Sequence, residues 1–480
     1  MSEQVKTGVE GLDNVLLGGL SSGYTYVVSG APGTGKTTLA LQFLLAGRAA
    51  GDENLLYITL SQTEDELRGA AVSHGFDIAG ITIVSLMPVA AGGDSQVQTV
   101  LHTSEEDLEE LTGTIENAIR ENAPQRAVVD SLSELRLVST SLLRFRRSLL
   151  ELNKKLAETA TTTLLLDGQD EPEVTTSIKL LAHGAIDLDW RTPDYGIAHR
   201  RLRVAKMRGA PFVEGYHDFT IQTGGLHVFP RLVPRRQSAV RDEWEIKSGL
   251  PELDALAGGS VPGDGTTLIS GNAGVGKSIL VTKISEETAR QGHRCALFLF
   301  EELEEAFLKR AKALGMDLGA DDVRDNITIL HQDPAEVSPG QLFDLITREV
   351  DAGARLIVID SLTGFFKTLP DGEQTMVQFA ALLSALKRLK VGVVMTLNLS
   401  GFLQYEPSVG VDVSYIADNI ILMRQYVAGA AIERSISMVK KRYGRHSREI
   451  RRLEITDEGL SIHELPESLT QGDAGQLRES

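Results

Sequence analysis

The chain has 480 residues, of which 42% are hydrophobic and 24% charged, the balance of a soluble globular protein with two domains. A formal net charge of −18 argues against non-specific binding to nucleic acid, because such binding depends on neutralising phosphates. The single cysteine, Cys295, excludes an intramolecular disulfide. The sequence shows no secretory signal and no apolar run that could span a bilayer, so we expect a cytoplasmic protein with no membrane contact.

Strand-like and helix-like patterns alternate along the first half of the chain. Short β-rich runs are each followed by a helical pattern with apolar residues at 3.6-residue spacing. In chain order these are the strand TYVVSG at 25–30, the helix TTLALQFLLAGRAA at 37–50, the strand LLYITL at 55–60, the helix TEDELRGAAVSHG at 63–75, the strand AVVDS at 127–131 and the helix LLRFRRSLLELNKKLAE at 142–158. This alternation predicts an α/β fold with a mostly parallel sheet flanked by helices.

The same order of motifs then occurs a second time, which indicates an internal duplication. The matched segments are TGVEGLDNVLLGGL (7–20) with SGLPELDALAGG (248–259), SGAPGTGKTTL (29–39) with SGNAGVGKSIL (270–280), NLLYITL (54–60) with RCALFLF (294–300), RAVVDSL (126–132) with RLIVIDSL (355–362), and AKMRG (205–209) with VKKRY (439–443). A polar, proline-containing stretch at 231–245 has the composition of a linker. We therefore predict one domain over 1–235, a second over 236–465, and a disordered tail over 466–480.

Each half contains the pattern G-x-x-x-x-G-K-[ST] between a strand and a helix, which is typical of a phosphate-binding loop. Glycines allow successive backbone N–H groups to surround a phosphate, and the helix that follows points its positive end at the same anion. We expect the two lysines to reach the β- and γ-phosphates of ATP. The predicted ATP-binding residues are Gly30, Gly33, Thr34, Gly35, Lys36, Thr37 and Thr38 in the first copy, and Gly271, Gly274, Val275, Gly276, Lys277, Ser278 and Ile279 in the second.

A magnesium ion accompanies ATP in such sites, and its expected protein ligands are a loop hydroxyl and an aspartate that ends a neighbouring strand. The loop hydroxyls are those of Thr37 and Ser278, and the strand-ending acids are Asp130 and Asp360. The alternative is that each aspartate caps the helix that follows it.

The two copies differ where a catalytic base is expected. The strand CALFLF runs into Glu301 and Glu302, which would place carboxylates beside the phosphate crevice. The matching strand of the first copy runs into Ser61 and Gln62, which cannot act as carboxylate bases. We therefore predict that the second copy is the catalytic one, although an acidic helix start is the alternative for this pair.

The ordered motifs, present twice over residues 5–463, resemble the KaiC family of RecA-like double ATPases. The resemblance implies two tandem RecA-like P-loop domains, a homo-hexameric double ring, and ATP bound at the subunit interfaces. It also implies that a K-x-R element reaches the neighbouring subunit's ATP. The implied residues are Lys206 and Arg208 in the first domain, and Lys440, Arg442 and His446 in the second, with Lys440 and Arg442 as catalytic groups. A solvated basic strand end is the alternative.

The resemblance further implies an ATP-dependent serine/threonine autokinase in the second domain. The family phosphorylates an adjacent serine and threonine before a strand that matches IADNIILM at 416–423, which points to Ser414 and to Tyr415 in place of the threonine. Ser61 and Gln62 depart from the family's acidic pair, so the first domain is expected to bind ATP for assembly with little turnover.

The sequence also bears on the binding partners and on alternative functions. The short tail does not resemble the segment that binds KaiA, so we expect a KaiB-like protein, a response regulator or a histidine kinase as partner instead. Two other functions stay open on the sequence alone. One is a nucleotide-dependent signalling switch without kinase activity, and the other, disfavoured by the acidic charge, is a RecA- or RadA-like DNA motor.

Overall fold

A computed structural model describes residues 3–86, 105–139, 141–168, 172–192, 198–231, 242–367, 372–400, 406–407, 415–457 and 459–465. The described residues fall into two compact units, one ending at Arg231 and the other containing the residues from 242 onward. The predicted boundary between residues 235 and 236 and the predicted tail lie outside the described residues. Within the described part, no helix is long and apolar enough to cross a membrane.

The first unit has eleven described strands and seven described helices, including all those predicted from the sequence. Its strands are β1 (Gln4–Val5), β2 (Leu20–Ser21), β3 (Thr25–Ser29), β4 (Leu55–Thr59), β5 (Thr82–Ser85), β6 (Arg126–Asp130), β7 (Thr162–Asp167), β8 (Gly184–Arg191), β9 (His199–Met207), β10 (His217–Gln222) and β11 (Gly225–Phe229). Its helices are α1 (Glu10–Val15), α2 (Lys36–Ala50), α3 (Glu64–Ser73), α4 (Glu105–Asn122), α5 (Leu132–Val138), α6 (Leu142–Glu158) and α7 (Pro172–Leu181).

The second unit contains the remaining twelve described strands and six described α-helices. Its strands are β12 (Glu245–Ile246), β13 (Val261–Pro262), β14 (Thr266–Gly271), β15 (Cys295–Leu299), β16 (Ile327–His331), β17 (Leu356–Asp360), β18 (Gly392–Ser400), β19 (Glu406–Pro407), β20 (Asn419–Ala428), β21 (Ala431–Lys441), β22 (Ile450–Thr456) and β23 (Gly459–Glu464). Its helices are α8 (Pro251–Leu256), α9 (Lys277–Arg290), α10 (Glu304–Ala313), α11 (Pro339–Asp351), α12 (Leu362–Lys367) and α13 (Gly372–Arg388).

Both units are built on a nine-stranded path with the same strand order, so the predicted duplication is confirmed. The first sheet runs β5-β4-β6-β7-β3-β8-β9-β10-β11, and the second runs β16-β15-β17-β18-β14-β20-β21-β22-β23. In each, the first six strands are parallel and the last three add antiparallel to the edge. Equivalent positions in the two units can therefore be matched by strand register.

Helices cover both faces of each sheet, which explains why the central strands are apolar throughout. All five residues of β3, β4 and β6 are buried, as expected for parallel strands with no solvent-facing side. Each unit has two apolar clusters, one on each face of its sheet. Cys295 lies within one of them and is fully buried.

Candidate functional site

The two phosphate loops connect β3 to α2 and β14 to α9, at the carboxyl ends of the parallel strands where α/β proteins bind their ligands. The glycine before each helix is left-handed, with φ of 102° at Gly35 and 110° at Gly276. An added Cβ would also lie 2.7 Å from an isoleucine Cδ1 in each case, that of Ile221 or Ile455. Only glycine fits these positions, and the helix N-terminus behind them is a site for an anion.

The loop lysines adopt the same conformation in both units. Lys36 Nζ donates to the carbonyls of Gly30 (2.6 Å) and Ala31 (3.1 Å). Lys277 Nζ donates to the carbonyls of Gly271 and Asn272, both at 2.8 Å.

Lys277 is a buried cation, with only 6% of its surface exposed. Burial lowers the pKa of Lys277 to about 8, although the nearby carboxylates of Asp360 and Glu301 act to raise it. A buried lysine at a helix N-terminus strongly favours an anionic ligand, because such a ligand supplies the countercharge that burial makes necessary.

The other predicted loop residues are placed for backbone rather than side-chain contact with a phosphate. Thr34 and Val275 have no exposed surface: the Thr34 hydroxyl donates to the carbonyl of Ala31 at 2.8 Å, and Val275 packs in the apolar core. Thr38 and Ile279 lie in the first turns of α2 and α9, where Thr38 is buried and Ile279 half-buried.

In each unit, the predicted magnesium ligands lie together beneath the phosphate loop. Thr37 Oγ1 donates to Asp130 Oδ2 at 3.3 Å, and the hydroxyl of Ser278 hydrogen-bonds Asp360. Desolvation raises the pKa of both aspartates, and these hydrogen bonds oppose it. The described residues contain no cluster of three or more His, Cys, Asp or Glu that could hold a metal by themselves. One hydroxyl and one carboxylate are the donor set of a Mg²⁺ ion that takes its other ligands from phosphates and water.

The acidic pair of the second unit divides between two environments. Glu301 Oε1 accepts hydrogen bonds from Ser361 Oγ at 2.6 Å and from Asn398 Nδ2 at 3.5 Å, and Ser361 directly follows Asp360. Glu302 instead forms an ion pair with Arg310, whose guanidinium donates to both carboxylate oxygens at 2.8–3.2 Å. Glu301 is therefore the carboxylate oriented next to the nucleotide site.

The first unit has no acid at the corresponding positions. Ser61 is exposed, and the carbonyl of Gln62 accepts from the hydroxyls of Thr59 (3.0 Å) and Ser85 (3.2 Å). The difference between the two sites that the sequence predicts is thus retained in three dimensions.

In each unit, the phosphate loop lies at the carboxyl ends of the parallel strands, and the K-x-R element lies towards their amino ends. Lys206 is opposite Ala185, the second residue of β8, which pairs with Val27 in the middle of β3, and Lys440 occupies the matching position opposite Ile420. The Lys206 side chain points away from the loop, because its Nζ donates to carbonyls at the end of α7, the helix that leads into the start of β8. The structure therefore does not bring these elements together with their own phosphate loops.

Their own-chain contacts differ between the units. Lys206 Nζ donates to three carbonyls at the end of α7 at 2.9–3.0 Å, and Arg208 donates to one of them, that of Leu180, at 2.7 Å. Arg442 forms an ion pair with Asp418 at 2.9 Å. His446 is half-buried in the loop that follows, and Tyr415 is 57% exposed. Ser414 lies outside the described residues.

Sequence reasoning missed several residues that contact the site. Tyr57 OH donates to Asp130 Oδ2 at 2.6 Å, and Thr396 Oγ1 donates to Asp360 Oδ1. The hydroxyl of Ser361 likewise donates to Glu301 Oε1. The only available signal was a polar atom within an otherwise apolar strand, since a buried tyrosine hydroxyl needs a hydrogen-bond partner.

Comparison with known proteins agrees with this geometry. A model of the KaiC family of ATPases matches residues 5–233 and again residues 246–467. The chain belongs to the KaiC ATPase family. It is 27% identical to the circadian clock oscillator protein KaiC of Picosynechococcus sp. over 470 residues, and 27% identical to that of Synechococcus elongatus over 468 residues. Each alignment covers 96% of this chain and 89% of the relative.

A third relative, the circadian clock oscillator protein KaiC 1 of Synechocystis sp., is 26% identical over 472 residues, with the same coverage. Membership in the KaiC family and the two phosphate loops together make the chain a tandem ATP-binding protein of the ATPase class. The predicted RecA-like architecture is confirmed.

Proposed function

We propose that the second unit hydrolyses Mg-ATP and transfers its γ-phosphoryl group to Ser414, and that the first unit binds ATP chiefly for assembly. The observation that carries this proposal is Glu301, a carboxylate hydrogen-bonded to Ser361 and placed beside Lys277 and Asp360. The protein would act in cytoplasmic signalling or timekeeping, in line with the names of its relatives.

The residues of the second unit divide the chemical work. Lys277 and the backbone N–H groups of the loop would hold the phosphates, while Ser278 and Asp360 would hold Mg²⁺, which supplies charge stabilisation for the departing ADP. Glu301 would take the proton from the attacking hydroxyl, either of water or of Ser414. The new P–O bond then forms as the bond between the γ-phosphorus and the β–γ bridging oxygen breaks. Glu302 would assist by fixing Arg310, whose positive charge opposes the rise in the pKa of Asp360 that burial causes.

The position of the K-x-R elements supports ATP binding between subunits. Lys206 and Arg208 donate to carbonyls at the end of α7, and Arg442 pairs with Asp418 just before β20, so these side chains point away from the loops of their own units. A neighbouring copy would have to present its ATP to them and to Lys440. The resemblance implies the same arrangement, a homo-hexameric double ring with ATP between subunits. His446, four residues after Arg442, would lie at the same subunit interface. Cations acting in this way stabilise charge on the transferring phosphoryl group.

The downstream partner would be a KaiB-like protein or a response regulator or histidine kinase. The acidic net charge disfavours DNA as a partner.

Incubation with Mg-ATP followed by phosphosite mapping by mass spectrometry tests the kinase activity. We expect phosphate on Ser414, or on the exposed Tyr415, in the wild-type protein. A Ser414→Ala variant should lose the first of these, and a Lys277→Ala variant should lose both because ATP is no longer held in the second unit. Consumption of ATP with no phosphorylated residue would contradict the kinase and leave the nucleotide-dependent switch.

A gain of acid in the first unit tests the proposed division of labour. We expect Ser61→Glu and Gln62→Glu, added together to a Lys277→Ala protein, to raise ATP turnover above that of the Lys277→Ala parent, because the phosphate loop and metal ligands of the first unit match those of the second. The measurement is steady-state phosphate release in a Lys277→Ala background, where only the first unit contributes. Unchanged turnover would show that the first unit lacks more than a base.

A further inference from the structure

Each metal-site aspartate accepts a hydrogen bond from a hydroxyl group with no exposed surface. In the first unit this group is the phenol of Tyr57, 2.6 Å from Asp130 Oδ2, and the same oxygen accepts from Thr37. In the second unit it is the hydroxyl of Thr396, which donates to Asp360 Oδ1.

The two hydroxyls come from opposite sides of the aspartate's strand. Tyr57 lies on β4, two residues before Thr59, which pairs with Asp130. The matching position on β15 is Leu297, two residues before Leu299, which pairs with Asp360. Thr396 lies on β18, and the matching position on β7 is Leu166, the residue that pairs with Asp130. Each unit therefore has one buried hydroxyl and one leucine beside its aspartate, in exchanged positions.

The exchange preserves one physical function while changing the residue that performs it. A buried carboxylate without donors is costly, and solvent cannot reach these two positions. A donor from a rigid central strand also fixes the rotation of the carboxylate, and hydrogen-bonded neighbours of metal ligands strongly affect metal affinity. In the first unit the donor shares its acceptor oxygen with Thr37, the other proposed metal ligand.

We propose that Tyr57 is the positioning residue for Mg²⁺ in the first nucleotide site and that Thr396 has the same role in the second. This inference rests on the proposed function, since it takes Thr37 with Asp130 and Ser278 with Asp360 as the metal ligands. The two sites thus hold the metal aspartate through different strands, which makes the Mg²⁺ dependence of each site separately adjustable by a single side chain.

The test is binding of a non-hydrolysable fluorescent ATP analogue as a function of Mg²⁺ concentration. The Mg²⁺ midpoint is the Mg²⁺ concentration that gives half of the maximal increase in affinity for the analogue. In a Lys277→Ala background, where only the first site can bind, Tyr57→Phe should raise this midpoint about tenfold. The affinity for the analogue in EDTA should stay unchanged, because the phosphate loop is intact. In a Lys36→Ala background, Thr396→Val should produce the same shift at the second site.

The chain offers a matched control in Tyr26 on β3, whose buried phenol donates to the carbonyl of Ser21 at 2.9 Å. Tyr26→Phe removes the same atom from the same sheet and should leave the Mg²⁺ midpoint unchanged. A purely structural role for Tyr57 would instead change binding in EDTA and in Mg²⁺ alike, and that result would overturn the proposal. The Thr396→Val arm tests it independently if Tyr57→Phe does not fold.

The outcomes also separate this inference from the proposed function. Nucleotide binding with an unchanged Mg²⁺ midpoint in Tyr57→Phe would overturn the positioning role alone. Failure of the Lys277→Ala parent to bind the analogue would overturn the first nucleotide site, and the role of Tyr57 with it.

Discussion

Replacing Glu301 by glutamine is expected to lower ATP turnover by about 100- to 10,000-fold, the range typical for removal of a general base. The substitution keeps the size of the side chain and its contact with Ser361, so the site should still bind ATP. The measurement is steady-state phosphate release, together with the affinity for a non-hydrolysable analogue.

Glu302→Gln is the matched control, since it makes the same chemical change at the next residue. Glu302 pairs with Arg310, whereas Glu301 accepts from Ser361 next to Asp360, so we expect a smaller loss of turnover from Glu302→Gln. If Glu302→Gln lost more activity than Glu301→Gln, the base would have been assigned to the wrong carboxylate.

Replacing Lys277 by alanine is expected to remove most ATP turnover, by roughly 100-fold or more, because it deletes a cation that would stabilise charge on the transferring phosphoryl group. The matched change in the first unit, Lys36→Ala, should mainly weaken assembly. ATP hydrolysis and native mass measured on both variants distinguish these effects.

Lys283, on the same helix as Lys277 but paired with Glu286, provides a control for loss of a lysine from α9. Lys283→Ala should keep turnover near that of the wild type. A Lys36→Ala protein that lost turnover while its assembly stayed intact would contradict the proposed roles of the two units.

The structure separates the contacts of the acidic pair and of the basic elements. Glu301 and Glu302 are adjacent in sequence, but Glu301 accepts from Ser361 next to Asp360, whereas Glu302 pairs with Arg310. The K-x-R elements are drawn from a family resemblance, and the structure adds where their side chains point. Lys206 lies opposite the second residue of β8 and donates to the end of α7, whereas the phosphate loop follows the end of β3.

The sequence by itself determined the duplication, the α/β class, the two phosphate loops and the contrast between Glu301 and Gln62. These features depend on local patterns: apolar strands, helical periodicity, and glycines at fixed spacing. Only the tertiary structure decided that Tyr57 donates a hydrogen bond to Asp130, which is 73 residues away in the sequence, and that Thr396 donates one to Asp360. Such contacts are set by which strands become neighbours in the sheet, and strand order is a property of the whole fold that no short segment contains.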